Sequence, residues 1–385
     1  MASGLLKCNH MMRLDDYLAL MAERRASDLH LSSARRPTFR VDGGIAPVND
    51  QSLSSAEVQA LLAEIIPERN RLEWEQTRDT DFAYENTHGR FRCNVFSDRN
   101  GVGAVFRLIP SRIMGFEELG LPEIVKKLCF LTKGLVLITG PTGSGKSTTL
   151  AAIIDFINAR RTDHIITIED PIEFVHENKK CIVNQREVHS HTESSKRALR
   201  AALREDPDIV LVGEMRDLET VRIALETAET GHLVFGTLHT NTAHGTIDRL
   251  INQFPADEQS QVRAGLAESL KGVVAQTLCR QRAGGRVAAL EVLMGSYALS
   301  ANIREGKLSQ IPLLIQTGKK EGMCSLNDSL LDLLSRDVIE PVVAYQKAVV
   351  KDELIKRMGT LMNCRSPKGA PWTEEDLLRA AAESD

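Results

Sequence analysis

One segment limits the possible folds of this chain more than any other: GPTGSGKST, residues 140–148. It fits G-x-x-x-x-G-K-[ST], with Gly140, Gly145, Lys146 and Ser147 in the defining places. Phosphate needs donors at close range, and glycine, which lacks Cβ, lets the backbone wrap around it. The amides of residues 143–147, which include Gly143 and Ser144, are expected to point at a β-phosphate, helped by the N-terminus of the following helix. Lys146 is expected to reach the β/γ oxygens, and the Ser147 hydroxyl to sit on Mg²⁺. Thr142 and Thr148 complete the loop residues expected to hold ATP. The loop follows a short apolar run, GLVLIT (134–139), and opens a helical pattern, TTLAAIIDFI. Three further runs of the same kind follow at Ile165–Ile168, Ile209–Val212 and Leu233–Leu238. Apolar runs without period-2 polarity are strands buried on both faces, as in a parallel sheet with helices on each side. The fold class is therefore α/β.

Carboxylates stand where such strands end. HIITIEDPIEF (164–174) closes a strand with Glu169-Asp170, and Pro171 stops it. In an open α/β sheet the ligand lies beyond the C-terminal strand ends, so Glu169 is expected to hold Mg²⁺ or polarise water. DPDIVLVGEMRD (206–217) leads into Gly213-Glu214. A carboxylate there binds Mg²⁺ or orients the attacking water, although such strands usually end in Asp. In GHLVFGTLHTN (231–241) His239 falls at the nucleotide end of its strand, where it could sense a γ-phosphate. His232 falls at the opposite end.

The 385 residues exceed one compact core, and the pattern changes near residue 110. Before it, helices at 14–26, 55–65 and 68–76 mix with strands at 28–31, 38–41, 46–48, 80–84, 90–96 and 103–108. That mixture reads as a small α+β domain over 1–109, with Asp42-Gly43-Gly44 as a hairpin turn. Residues 110–116 (PSRIMGF) read as a linker, 117–360 as the nucleotide-binding domain and 361–385 as a flexible tail with one short helix. Beyond residue 255 the pattern is mostly helical, over 257–278, 297–304, 327–335 and 341–358. Net charge is −4 and aromatic content 4 %, which argues against nucleic acid as a partner. No apolar run approaches about 18 residues, so no membrane span is expected. The N-terminus is broken by His10, Arg13, Asp15 and Asp16 and does not read as a signal peptide. Seven scattered cysteines never form CxxC, which fits a reducing cytoplasm.

Taken together, GPTGSGKST, ITIEDPIEFV, GEMRDLET and GHLVFGTLHT resemble the secretion-ATPase superfamily, and within it the PilT family of type IV pilus retraction motors. The resemblance runs from about residue 13 to about 350. It implies a PAS-like N-terminal domain, a RecA-like P-loop ATPase domain and a helical C-terminal region. It implies a homohexamer that closes around ATP between subunits and powers pilin disassembly and twitching motility. It makes Glu214 the catalytic glutamate, Glu169 an acidic residue near the metal, and His232 and His239 a histidine pair at the nucleotide. It also implies two phosphate-contacting arginines from the N-terminal domain, here Arg92 and Arg107. Alternation supports this in part, since it puts Arg90, Arg92 and Asn94 on one strand face and Phe91, Cys93 and Val95 on the other. Asn100-Gly101 and Gly103 let the chain turn back and bring Arg107 alongside.

The implied partners are an inner-membrane pilus platform protein and an accessory retraction ATPase, and the implied place is the cytoplasmic side of the pilus base. A motor for pilus assembly or type II secretion, a type IV secretion motor and an accessory retraction paralogue are the alternatives. Assembly motors of the superfamily have a larger N-terminal extension and often four cysteines around zinc, whereas here about 140 residues precede the loop and no CxxC occurs. Retraction motors carry AIRNLIRE in the C-terminal region. The matching stretch, 298–305, reads ALSANIRE and agrees only at its ends.

Overall fold

A computed structural model describes residues 12–41, 44–109, 112–361, 364, 366 and 370–382. The chain divides into two units, residues 1–112 and 113–385.

The first unit is built on six antiparallel strands. These are β1 (Asp28–Ser32), β2 (Thr38–Val41), β3 (Gly44–Pro47), β4 (Asp79–Asn86), β5 (Gly89–Asp98) and β6 (Gly101–Ile109). Their order is β3-β2-β1-β6-β5-β4. One row across the sheet runs Phe39, Leu29, Phe106, Cys93, Phe82, and every member is buried. Against it pack Leu14, Tyr17, Leu18 and Met21 of the helix Leu14–Glu23, whose spacing of three to four residues puts them on one side. The helix Ser55–Ala63 starts at a reciprocal cap. Glu57 N–H donates to Ser54 Oγ at 3.2 Å and Ser54 N–H to Glu57 Oε2 at 2.7 Å. Such a cap contributes about 1 kcal/mol. Because side chains alternate, the next residues along each strand form the outer face, and a slip of one residue would invert the two. The first two residues of the expected turn, Asp42 and Gly43, lie outside the described residues, as do residues 1–11.

The second unit holds a seven-stranded sheet. Its strands are β7 (Gly134–Thr139), β8 (His164–Glu169), β9 (Ile182–Glu187), β10 (Ile209–Val212), β11 (Leu233–Leu238), β12 (Leu270–Arg280) and β13 (Arg286–Met294). The order is β13-β12-β7-β11-β10-β8-β9, and every pair is parallel except β12 with β13. Leu135, Leu137, Val210, Val212 and Val234 enter one core cluster, and Val136, Ile138, Ile209, Leu211 and Phe235 another. Neighbouring residues thus face different cores, and this is why these strands show no polar alternation.

Four points differ from expectation. The helix expected over 257–278 stops at Ser269, and residues 270–280 form β12. Val273 and Val274 are β-branched and have a pairing partner in Leu137 and Ile138 of β7, so tertiary pairing overrides the helical pattern. β9 and β13 were not expected at all. β9 is an edge strand that is polar from Asn184 onward, and β13 pairs back on β12 in a hairpin. The linker expected over 110–116 does not extend to Phe116, which opens the helix Phe116–Leu119 and is buried against Phe156 with ring centroids 4.8 Å apart. Pro110 and Ser111 lie outside the described residues. The tail is not loose where it is described: in the helix Glu374–Ala382, Leu377 is fully buried and Glu374 Oε1 accepts a hydrogen bond from Tyr345 Oη at 2.7 Å.

Candidate nucleotide-binding and catalytic site

The loop at the end of β7 is shaped for an anion. Gly140 has φ +149°, and a Cβ there would lie 2.2 Å from the Gln276 carbonyl oxygen. No other residue fits that approach. Gly145, at φ +86°, caps the helix Lys146–Asn158 in the left-handed conformation. The Ser144 side chain is buried, and its Oγ has no hydrogen-bond partner among the described residues. An orphaned donor beside a helix N-terminus suits a phosphate oxygen. Thr142 and Gly143 are exposed at the tip, and Ser147 and Thr148 are half-buried in the first helical turn. Lys146 Nζ donates to the carbonyls of Gly140 at 2.9 Å and Pro141 at 3.1 Å. Burial lowers its pKa, and the carboxylates of Glu214 and Glu173 pull the other way.

Adjacent parallel strands bring the other groups to the same end. His239 follows β11 and Glu214 follows β10. His239 Nε2 lies 2.9 Å from Glu214 Oε1, and its Nδ1 lies 3.5 Å from Lys146 Nζ. An ionised carboxylate only accepts, so Nε2 carries the proton toward Glu214 and Nδ1 is left to accept from Lys146. Arg216 Nε also lies 2.7 Å from Glu214 Oε1. Burial pushes the Glu214 carboxyl up, but Arg216 and His239 outweigh it and hold it below its ordinary value. Glu169, at the end of β8, behaves differently. Its Oε1 accepts from Thr167 Oγ1 at 2.6 Å and Gln185 Nε2 at 3.0 Å, and burial raises its pKa. Gly213 lets the two acidic segments approach: a Cβ there would lie 3.3 Å from Glu169 Cα.

Gln276 is a residue that sequence reasoning missed, because its segment was read as helix. Its side chain is buried, its Nε2 donates to the Ser144 carbonyl at 2.6 Å, and its Oε1 accepts from Thr149 Oγ1 at 2.9 Å. One carboxamide thus braces the loop to the helix behind it. A polar residue inside the apolar run VVAQTL was the available signal. Gln276→Leu leaves both partners buried without a bond, a loss of order 1–3 kcal/mol. The expected result is roughly tenfold weaker ATP binding, read by titration with a fluorescent nucleotide on protein checked by melting. Unchanged affinity would remove the bracing role. Arg216 was likewise overlooked, although it follows Glu214 by two residues.

Two expectations fare differently. His232 is not brought to the loop. Its Nδ1 lies 3.1 Å from the Thr227 carbonyl, at the end of the preceding helix. β11 separates it from His239 by six residues, roughly 20 Å of strand. Arg92 and Arg107 stand directly opposite each other on β5 and β6 of the first unit, and both are exposed. Arg107 Nε donates to Asp28 Oδ1 at 2.8 Å, and Arg92 Nε lies 3.8 Å from Asp81 Oδ1. Like charges directly opposite repel, so the pair favours an anion.

Comparison with known proteins accords with this geometry. Residues 10–302 match the family model described as type II/IV secretion system protein. The type IV pilus retraction ATPase PilT of Pseudomonas aeruginosa is 51 % identical over 342 residues, covering 89 % of this chain and 99 % of that protein. The type IV pilus ATPase PilU of the same organism is 38 % identical over 353 residues, covering 91 % and 92 %. A crystal structure of the pilus retraction motor PilT with bound ADP superposes with a TM-score of 0.85 at 45 % identity, covering 90 % of this chain and all of that one. A RecA-like second unit, with its phosphate loop between β7 and a helix, is what that likeness describes. The chain belongs to the type II/IV secretion system protein family and, within it, to the PilT family.

Proposed function

We propose that this chain is the subunit of a hexameric ATPase motor that drives type IV pilus retraction. The observation that carries the reading is the contact series from Lys146 through His239 to Glu214, set beside a loop whose Gly140 has no room for a side chain. It couples the cation expected on the phosphates to the carboxylate expected to act on water. The likeness to retraction ATPases over nearly their full length supports the biological role.

The loop amides and Lys146 hold the β- and γ-phosphates of ATP. Lys146 must exchange the Gly140 and Pro141 carbonyls for phosphate oxygens. Ser147, with Glu214 or Glu169 nearby, would hold Mg²⁺, which supplies charge neutralisation on the phosphates. Among the described residues no group of three or more His, Cys, Asp or Glu could hold a metal by itself. A shared hydroxyl–phosphate site of this kind is the arrangement that suits a P-loop. Glu214 orients the attacking water and takes its proton, and His239 reports on the γ-phosphate through its contact with Lys146. Arg92 and Arg107 add positive charge to the γ-phosphate when subunits close around ATP.

Among the described residues no helix is long and apolar enough to cross a membrane. The ring is proposed to work at the cytoplasmic face of the pilus base against a platform protein, with an accessory retraction ATPase as a further partner. Deleting the gene is the test. Cells are expected to carry excess pili that fail to retract and to lose twitching. Bald cells would overturn retraction in favour of assembly.

A further inference from the structure

Asp28 on β1 lies opposite Arg107 on β6 and opposite Arg40 on β2, and Arg107 lies opposite Arg92 on β5. Residues directly opposite share a face. The row therefore reads Arg40, Asp28, Arg107, Arg92 across the outer side of the first sheet. The carboxylate is its buried member, at 3 % exposure, whereas the Arg107 side chain is 67 % exposed. Asp28 Oδ1 accepts from Arg107 Nε at 2.8 Å. Its Oδ2 accepts from Ser27 Oγ at 2.7 Å and lies 3.8 Å from Arg40 Nε. Burial pushes the Asp28 carboxyl up, but the Ser27 hydroxyl and Arg107 hold it below the usual range. His30, two residues on along the same face, is kept toward its neutral form by burial, against the pull of Asp28. It therefore does not displace the arginines as a cation.

A guanidinium gripped through Nε keeps its plane and its two terminal nitrogens for another acceptor. A lysine in its place has three donors on one freely rotating nitrogen, so gripping the carboxylate would not fix a planar pair of donors on the ligand. We propose that Asp28 is a positioning residue for ATP hydrolysis: it holds Arg107 through Nε and so presents the terminal nitrogens to the γ-phosphate. This rests on the assignment of Arg107 to phosphate made above. Arg107 then meets ATP already ordered, and less side-chain freedom is lost at closure.

The test is steady-state ATPase on the full chain, with kcat and KM measured for D28N, R107A, R107K and the D28N/R107A double variant, folding being checked by melting. D28N keeps the side-chain volume, so it alters the grip more than the core. The expected result is a kcat about tenfold lower for D28N with KM within about twofold, since misplacing a catalytic group is known to reach such losses and more. D28N should slow R107A no further, and R107K should fall close to R107A. A wild-type kcat in D28N, an equal slowing of R107A by D28N, or full rescue in R107K would each overturn the positioning role. Wild-type turnover in R107A would instead overturn the assignment of Arg107 to phosphate.

Discussion

Lys146→Ala is expected to abolish ATP hydrolysis and weaken ATP binding, while Glu214→Ala stops hydrolysis with ATP still bound. The difference follows from what each side chain touches. Lys146 Nζ sits at the mouth of the phosphate loop, 2.9 Å from the Gly140 carbonyl. Its charge is proposed as the loop's main cationic clamp on the γ-phosphate, so ground state and transition state should both lose by its removal. Glu214 contacts Arg216 and His239 and makes no bond to the loop. Its carboxylate is proposed to act on water, an interaction needed only as the reaction proceeds. General-base contributions run to about 10²–10⁴-fold, so turnover in Glu214→Ala should drop by at least about a hundredfold. Nucleotide retention after rapid gel filtration, alongside phosphate release, separates the two variants. Equal loss of binding in both would sink the division of roles.

Much of this site is legible in the amino-acid pattern, for physical reasons that differ from residue to residue. A phosphate loop needs glycine where the backbone turns against another chain segment, and Gly140 and Gly145 occupy those places. Strands β7, β8, β10 and β11 declare themselves because burial on both faces demands unbroken apolar runs. Glu214 and His239 then follow from strand polarity alone. Gln276 did not, because its segment has no local signature that separates a buried strand from a helix. Its role comes from lying beside β7, a contact made across more than 130 positions of chain. His232 lies apart from the loop for a different reason. The histidine was noticed, but its place at the start of β11 commits its ring to the Thr227 carbonyl. The register Arg92↔Arg107 is set by the tight turn between β5 and β6, so pairing two arginines needed only alternation and a turn. Asp28 between Arg40 and Arg107 needed the full strand order, in which β1 inserts next to β6.

Arg107→Ala is expected to keep the fold and some nucleotide binding while losing most turnover. Arg107 is exposed, so its removal opens no cavity in the core, but it leaves the buried Asp28 carboxylate to Ser27 and Arg40 and is expected to cost some stability. What disappears is positive charge beside a phosphoryl group whose negative charge spreads during transfer. Arginines supplied in this way contribute about a thousandfold or more in other phosphoryl-transfer systems. Arg92, directly opposite, should lose turnover alike but melt closer to wild type, because its partner Asp81 is exposed whereas that of Arg107 is buried. Arg90 is the internal control. It shares the strand and the face with Arg92, but it pairs with Glu85 at 3.1 Å and its side chain is only 17 % exposed. Its alanine variant should turn over ATP at close to the wild-type rate. The two arginines and the phosphate loop belong to different units of the chain, so on the proposed assignment hydrolysis is expected to need both units. If the arginines gain phosphate partners in this way, ATP is expected to raise the contribution of the first unit, and an uncleavable analogue should do so equally. Steady-state ATPase on Arg90→Ala, Arg92→Ala and Arg107→Ala decides the matter. If Arg90→Ala is as damaging as the other two, the face is a basic structural surface. If neither Arg92→Ala nor Arg107→Ala slows turnover, charge from the first unit plays no part in the chemistry.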